Sequence, residues 1–79
     1  MRQPVTTINQ FLDIVRARRK TMDLTQNELA RKLGVSQVYL SDLENGKRSL
    51  SAERLLALLN VLNLELVAQD KTETDKADW

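Results

Sequence analysis

The sequence contains no cysteine and no histidine. That removes disulfides, the zinc-finger ligand sets and every His- or Cys-based catalytic device. Long apolar runs are missing as well. The longest stretch, Leu55 to Leu62, is broken by Asn60 and falls well short of the ~20 residues that a membrane-spanning helix needs. No extended apolar core follows Arg2, so a secretory signal is not expected and the chain reads as soluble and cytoplasmic. The lack of cysteine suits a reducing compartment. Nor is there a large excess of either charge, since twelve Lys and Arg face eleven Asp and Glu, a net +1. The Asp, Glu, Lys, Ser and Tyr residues form no cluster that pairs a nucleophile with a base, gathers a metal or cradles a phosphate. Neither an enzyme, a metal site nor a cofactor is therefore expected.

What remains is a chain of 79 residues, 42% of them hydrophobic. One domain with a small core is expected, and a partner subunit is a natural source of further burial. The charge is unevenly spread. Residues 1–69 carry ten Lys and Arg against seven Asp and Glu, a balance of +3, whereas residues 70–79 carry two against four, a balance of −2. The basic residues gather in "RARRK" (Arg16 to Lys20) and "GKR" (Gly46 to Arg48). The expected organisation is a folded domain over residues 1–70 and a flexible charged tail over residues 71–79.

Residues 1–6 contain Pro4 and read as an arm. Thr7 caps a first helix, in which Ile8, Phe11, Leu12 and Val15 recur at helical spacing to about Lys20. The basic end of this helix either compensates the helix dipole in solvent or meets a DNA backbone. Thr25, with Glu28 three residues on, forms a capping box for a second helix with Leu29, Ala30 and Leu33 inside. Gly34 ends it and Val35 follows as an apolar plug. Ser36 caps a third helix with Leu40 and Leu43 inside, closed by Asn45-Gly46. Ser51 caps a fourth, in which Leu55, Leu56, Leu58, Leu59 and Leu62 make the helix apolar over much of its circumference. That breadth predicts a central position or a subunit contact. Beyond Asn63, "LELVAQ" (Leu64 to Gln69) reads as a short strand or as a continuation of helix four. A lone strand has no partner within the domain. The strand reading therefore makes Leu64, Glu65, Leu66, Val67 and Ala68 a dimerisation segment, paired with a second copy.

The second and third helices, joined at Gly34, form a helix-turn-helix. A small residue where the helices cross (Ala30), a turn-starting Gly, and an apolar set of Leu29, Leu33, Val35, Leu40 and Leu43 are met at once. In this motif the N-terminal part of the second helix enters the major groove of DNA. That assigns Gln37, Val38, Ser41 and Asp42 to base edges, with Ser36 and Tyr39 on the flanks. Gln37 matches adenine N6 and N7, Val38 a thymine methyl, and Asp42 cytosine N4. Gln26 opens helix two, whose first amides suit a phosphate, while Lys47 and Arg48 lie just beyond helix three at the backbone. The blander reading of each polar residue alone is a solvated surface.

The run "TQNELARKLGVSQVYLSDLENGKR" resembles the lambda-repressor-like (Xre-type) helix-turn-helix family. The resemblance covers residues 7–62 and implies an all-α fold of four or five helices with sequence-specific DNA binding. It also implies that Gln26 braces Gln37 and touches phosphate. Many members have a fifth helix where this chain is expected to have the strand. With "NLELVAQD" (Asn63 to Asp70) and "DW" (Asp78-Trp79), the chain is similar to the HipB-type antitoxins. That similarity implies a homodimer that binds a palindromic operator, represses its own operon and holds a HipA-type kinase toxin. It assigns toxin contact to Trp79, the only Trp, and aromatic residues of this kind serve as interface anchors. A stand-alone phage-type or restriction–modification regulator shares the same DNA mechanism, and a DNA-free protein adaptor is the alternative from another class.

Overall fold

The computed structural model describes residues 3–71, which form four helices. These are α1 (Ile8–Thr21), α2 (Gln26–Leu33), α3 (Gln37–Glu44) and α4 (Ala52–Val61). Each begins as its sequence directs. The hydroxyls of Thr7, Thr25, Ser36 and Ser51 accept from the backbone amides of Gln10, Glu28, Tyr39 and Arg54. At α2 the box is reciprocal, with the Thr25 amide donating to Glu28 at 2.9 Å. That bond and its Thr25 side-chain counterpart hold the Glu28 carboxyl below its ordinary value of 4.5.

All four helices also stop in the same way. Asp23, Gly34, Gly46 and Asn63 take φ between 55° and 75°. In each case the next residue donates its amide five residues back. The pairs are Leu24 to Arg19, Val35 to Ala30, Lys47 to Asp42 and Leu64 to Leu59. This is the Schellman stop, in which a left-handed residue satisfies carbonyls that the helix leaves open. Its customary apolar follower packs back on the core at three of the stops, as Leu24, Val35 and Leu64. Lys47, at the end of α3, is the polar exception and stays exposed.

The core joins Phe11, Leu12 and Val15 of α1, Leu29 and Ala30 of α2, Leu40 and Leu43 of α3, and Leu58, Leu59 and Leu62 at α4. Helix α4 presents only one side to it, and Leu56 is half exposed, so the broad apolar surface of α4 does not mark a central position. Among the described residues no helix is long and apolar enough to cross a membrane.

The strand expected over Leu64 to Gln69 is absent; the described residues contain no strand. The helical alternative fails too, because left-handed Asn63 ends α4. Leu64 is engaged as the apolar follower of that stop, with its amide on Leu59 O at 2.8 Å. Residues 65–71 then run exposed, and a strand needs a second backbone that this one chain does not offer. The alternating pattern thus reflects a helix stop followed by surface. Trp79 lies outside the described residues.

One polar cluster crosses the core. Arg19 of α1 donates Nε to Glu44 Oε2 at 2.8 Å and Nη2 to Oε1 at 3.2 Å, while its Nη1 reaches Leu24 O at 2.9 Å. Gln26 of α2 donates Nε2 to Glu44 Oε1 at 3.1 Å. Arg19 and Glu44 are both buried. Arg16 donates to Glu44 O, and Arg18 donates Nε to Leu62 O at 2.9 Å. The arginines of "RARRK" therefore work inside the molecule, satisfying the open carbonyl ends of α3 and α4.

Glu44→Ala strips a buried guanidinium of its counter-charge and is expected to cost about 3 kcal/mol. Pairing Arg19→Met with Glu44→Leu should recover most of that in urea unfolding. If Glu44→Ala melts like wild type, the cluster is not structural. The depressed Glu28 carboxyl adds stability above its unfolded value, and this contribution is lost as pH falls through the lower folded value. Glu28→Gln should therefore narrow its gap from wild type as the medium is acidified. A gap that stays constant with pH contradicts this.

Candidate nucleic-acid interface

The turn between α2 and α3 is built from the backbone up. Gly34, at φ 75° and ψ 30°, reverses the chain while Val35 drops into the core edge and Ser36 starts α3. Ala30, 1% exposed, and Leu29 let α2 approach Leu40 and Leu43 of α3 closely. Leu40, Leu43 and Glu44 face inward, so the opposite side of α3 is outward by helical period. Val38 lies on that side and is 71% exposed, while Gln37, three residues before Leu40, is exposed on the flank because it opens the helix. Ser41 and Asp42 sit one turn further along and are half-buried.

An apolar side chain so exposed at the tip of a short helix packs on little among the described residues. Gln37 makes no side-chain hydrogen bond among the described residues, and neither does Asp42. The four residues assigned to base edges thus share one surface with their polar groups free. Ser36 spends its oxygen on the Tyr39 amide at 3.0 Å, which leaves the hydroxyl proton available to an acceptor. Lys47 and Arg48 follow the C-terminal end of α3 and are exposed.

Two of the expected residues behave differently from the pattern reading. Gln26 turns inward to Glu44 rather than toward Gln37, so its amide is tied to the core cluster. Tyr39 is half-buried and lies under Arg48, whose guanidinium carbon is 4.4 Å from the ring centroid. Such a stack keeps the cation's N–H edge free for an anion.

The sequence reading missed Glu44 and Arg19, the pair that joins α1 to α3. A signal for Arg19 was present, because Leu12, Val15 and Arg19 fall on one helical stripe and a charge on an inward stripe calls for a buried partner. It also missed Arg54 of α4, 5.2 Å from the Tyr39 centroid. No local spacing announces that neighbour.

Comparison with known proteins agrees with this geometry. The helix-turn-helix family profile matches residues 15–68, well over half of the chain. Over 60 residues the chain is 38% identical to the ImmF control region 10 kDa protein of Bacillus phage phi105, covering 76% of this chain and 67% of that one. It is 42% identical over 68 residues to the antitoxin PezA of Streptococcus pneumoniae serotype 4, covering 82% of this chain. It spans only 43% of PezA's length. Among solved structures, the HipA-HipB-O2-O3 complex contains a chain that superposes with a TM-score of 0.79 at 25% identity, covering 90% of this chain and all of that one.

Proposed function

The chain belongs to the helix-turn-helix family of DNA-binding regulators, and from that premise we propose that it is the repressor and antitoxin of a HipBA-type toxin–antitoxin operon. In this reading it binds a palindromic operator as a cytoplasmic homodimer, represses its own operon and holds a kinase-type toxin. One observation carries the DNA half. The first turn of α3 presents Gln37, which makes no side-chain hydrogen bond among the described residues, and a 71% exposed Val38, with Arg48 over Tyr39 of the same turn.

The mechanism follows from the chemistry of that surface. Gln37 offers a bidentate amide to adenine, Val38 offers a methyl surface to thymine, and Ser41 and Asp42 discriminate at neighbouring pairs. Ser36, Lys47 and Arg48 bind phosphates and set the register without reading sequence. Gln26 holds the start of α2 through Glu44 and so acts on the interface indirectly. Two copies align their α3 tips about one helical turn apart along the duplex, or a multiple of it. Exposed Leu66 and Val67 within the segment Leu64 to Ala68 support that segment as the contact between copies, and half-exposed Leu56 of α4 supports a role for the helix beside it. Toxin contact is assigned to Trp79 in the tail.

A second reading is favoured by the phage relative. A stand-alone regulator of phage or restriction–modification type would use the same DNA surface and lack the toxin.

Gln37→Ala is expected to lose about 1–3 kcal/mol on the preferred operator and to relax preference at one base pair. Equal losses on operator and scrambled duplex contradict a base-reading role. Removing residues 71–79 should abolish retention of a kinase-like protein encoded beside this chain and leave operator affinity unchanged. Failure of the intact chain to retain any such protein favours the stand-alone regulator.

A further inference from the structure

Five of the chain's seven arginines fall into two groups. Among the described residues, every guanidinium hydrogen bond comes from Arg16, Arg18 or Arg19 of α1. The ion pairs also involve α1 alone on the basic side. Among the described residues Arg48 and Arg54 have neither a carboxylate partner nor a hydrogen bond from their guanidiniums. Instead both lie by one aromatic ring, at 4.4 Å and 5.2 Å from the Tyr39 centroid.

Holding two unpaired cations against one ring is unfavourable in isolation, because like charges repel. The backbone nevertheless fixes the parts. Tyr39 is the third residue of α3 and its amide is held by Ser36 at 3.0 Å. Arg54 is the third residue of α4 and its amide is held by Ser51 at 3.1 Å. Arg48 comes from the loop between them. Three separate segments thus converge on one point. A guanidinium that uses its face on a ring leaves its in-plane N–H groups for oxygen acceptors, and phosphate suits that fork. Tyr39 lies three residues before Asp42 on the same side of α3, so a duplex read by Val38 and Asp42 runs a backbone strand past it.

We propose that Tyr39 is a positioning residue that holds Arg48 and Arg54 as a clamp on one phosphate of bound DNA. The proposal rests on the DNA-binding reading above and adds Arg54 to it. The ring sets the spacing of the two cations, and the incoming phosphate relieves their repulsion. Both cations therefore gain more together than either does alone.

The test uses the full chain with a duplex selected by wild type from a randomised pool and a scrambled duplex of equal length. Affinity is read across the salt range. Arg54→Gln is expected to weaken binding to both duplexes about tenfold. Combined with Arg48→Ala it should flatten the dependence of log affinity on log salt by about one unit per protomer, or about two per bound dimer, because each protomer releases one phosphate. The double variant should also lose less than the product of the single losses. Tyr39→Phe should match wild type. Tyr39→Leu keeps every charge, yet it should weaken binding and erase the coupling between the arginines. Urea unfolding verifies that this variant is folded at the assay temperature; if it is not, the coupling measured in the Tyr39→Phe background against wild type decides, and must be preserved. A flattening of about two units per protomer, or about four per bound dimer, with multiplicative losses means two separate phosphates in each protomer and overturns the clamp. Wild-type binding by Arg54→Gln beside a defective Gln37→Ala overturns it while leaving the DNA reading intact. Wild-type binding by both variants overturns the DNA reading and the clamp with it.

Discussion

The structure depends most on one buried ion pair. Glu44, at the end of α3, receives two hydrogen bonds from Arg19 of α1 and one from Gln26 of α2. Arg19 also takes up Leu24 O in the connection between α1 and α2. Three helices are therefore fixed to one carboxylate. Removing charges from water is costly, and the arrangement is sustainable because the Glu44 side chain is fully engaged while Arg19 is bonded through all three nitrogens. An apolar contact of similar size would bury as much surface but would tolerate sliding. The directional bonds set the angle of α3, and with it the direction in which the outward tip points.

Short helices around a small core need firm ends, and the same stop appears four times. Each stop trades a left-handed residue for two satisfied carbonyls, and three of them seat an apolar follower on the core. The stop after α3 seats Lys47 outside instead. Packing is given up at that stop, whereas the stop after α2, which leads directly into Ser36 and Gln37, keeps it through Val35. The same local device that builds the fold also delivers a cation to the interface.

Much of this was legible in the chain. Thr7, Thr25, Ser36 and Ser51 announce the helix starts, and Gly34 and Gly46 announce two of the stops. The outward direction of Val38, Ser41 and Asp42 follows from helical period once Leu40 and Leu43 are placed inside, and Gln37 is exposed because it opens the helix. Asp23 and Asn63 were less legible as stops, since a non-glycine residue enters the left-handed region only where its surroundings favour it. Misreading Leu64 followed from this. Taken with Leu66 it looked like the start of an alternating strand, whereas it is the seat of a helix stop. The basic run of α1 was ambiguous because a charge pattern does not reveal which carbonyls lie within reach.

The sequence by itself determined what happens within about six residues. Caps, stops and amphipathic stripes depend on bonds to the third, fourth or fifth neighbour, and those distances are set by backbone geometry alone. Tertiary structure decided the fate of the charges. Arg19 finds Glu44 across 25 positions and Arg18 finds Leu62 across 44, through the crossing of helices whose angles no local pattern states. Arg54 comes to Tyr39 in the same way. Which cations are spent inside the fold, and which remain free for an anion outside, was settled only when the four helices came together.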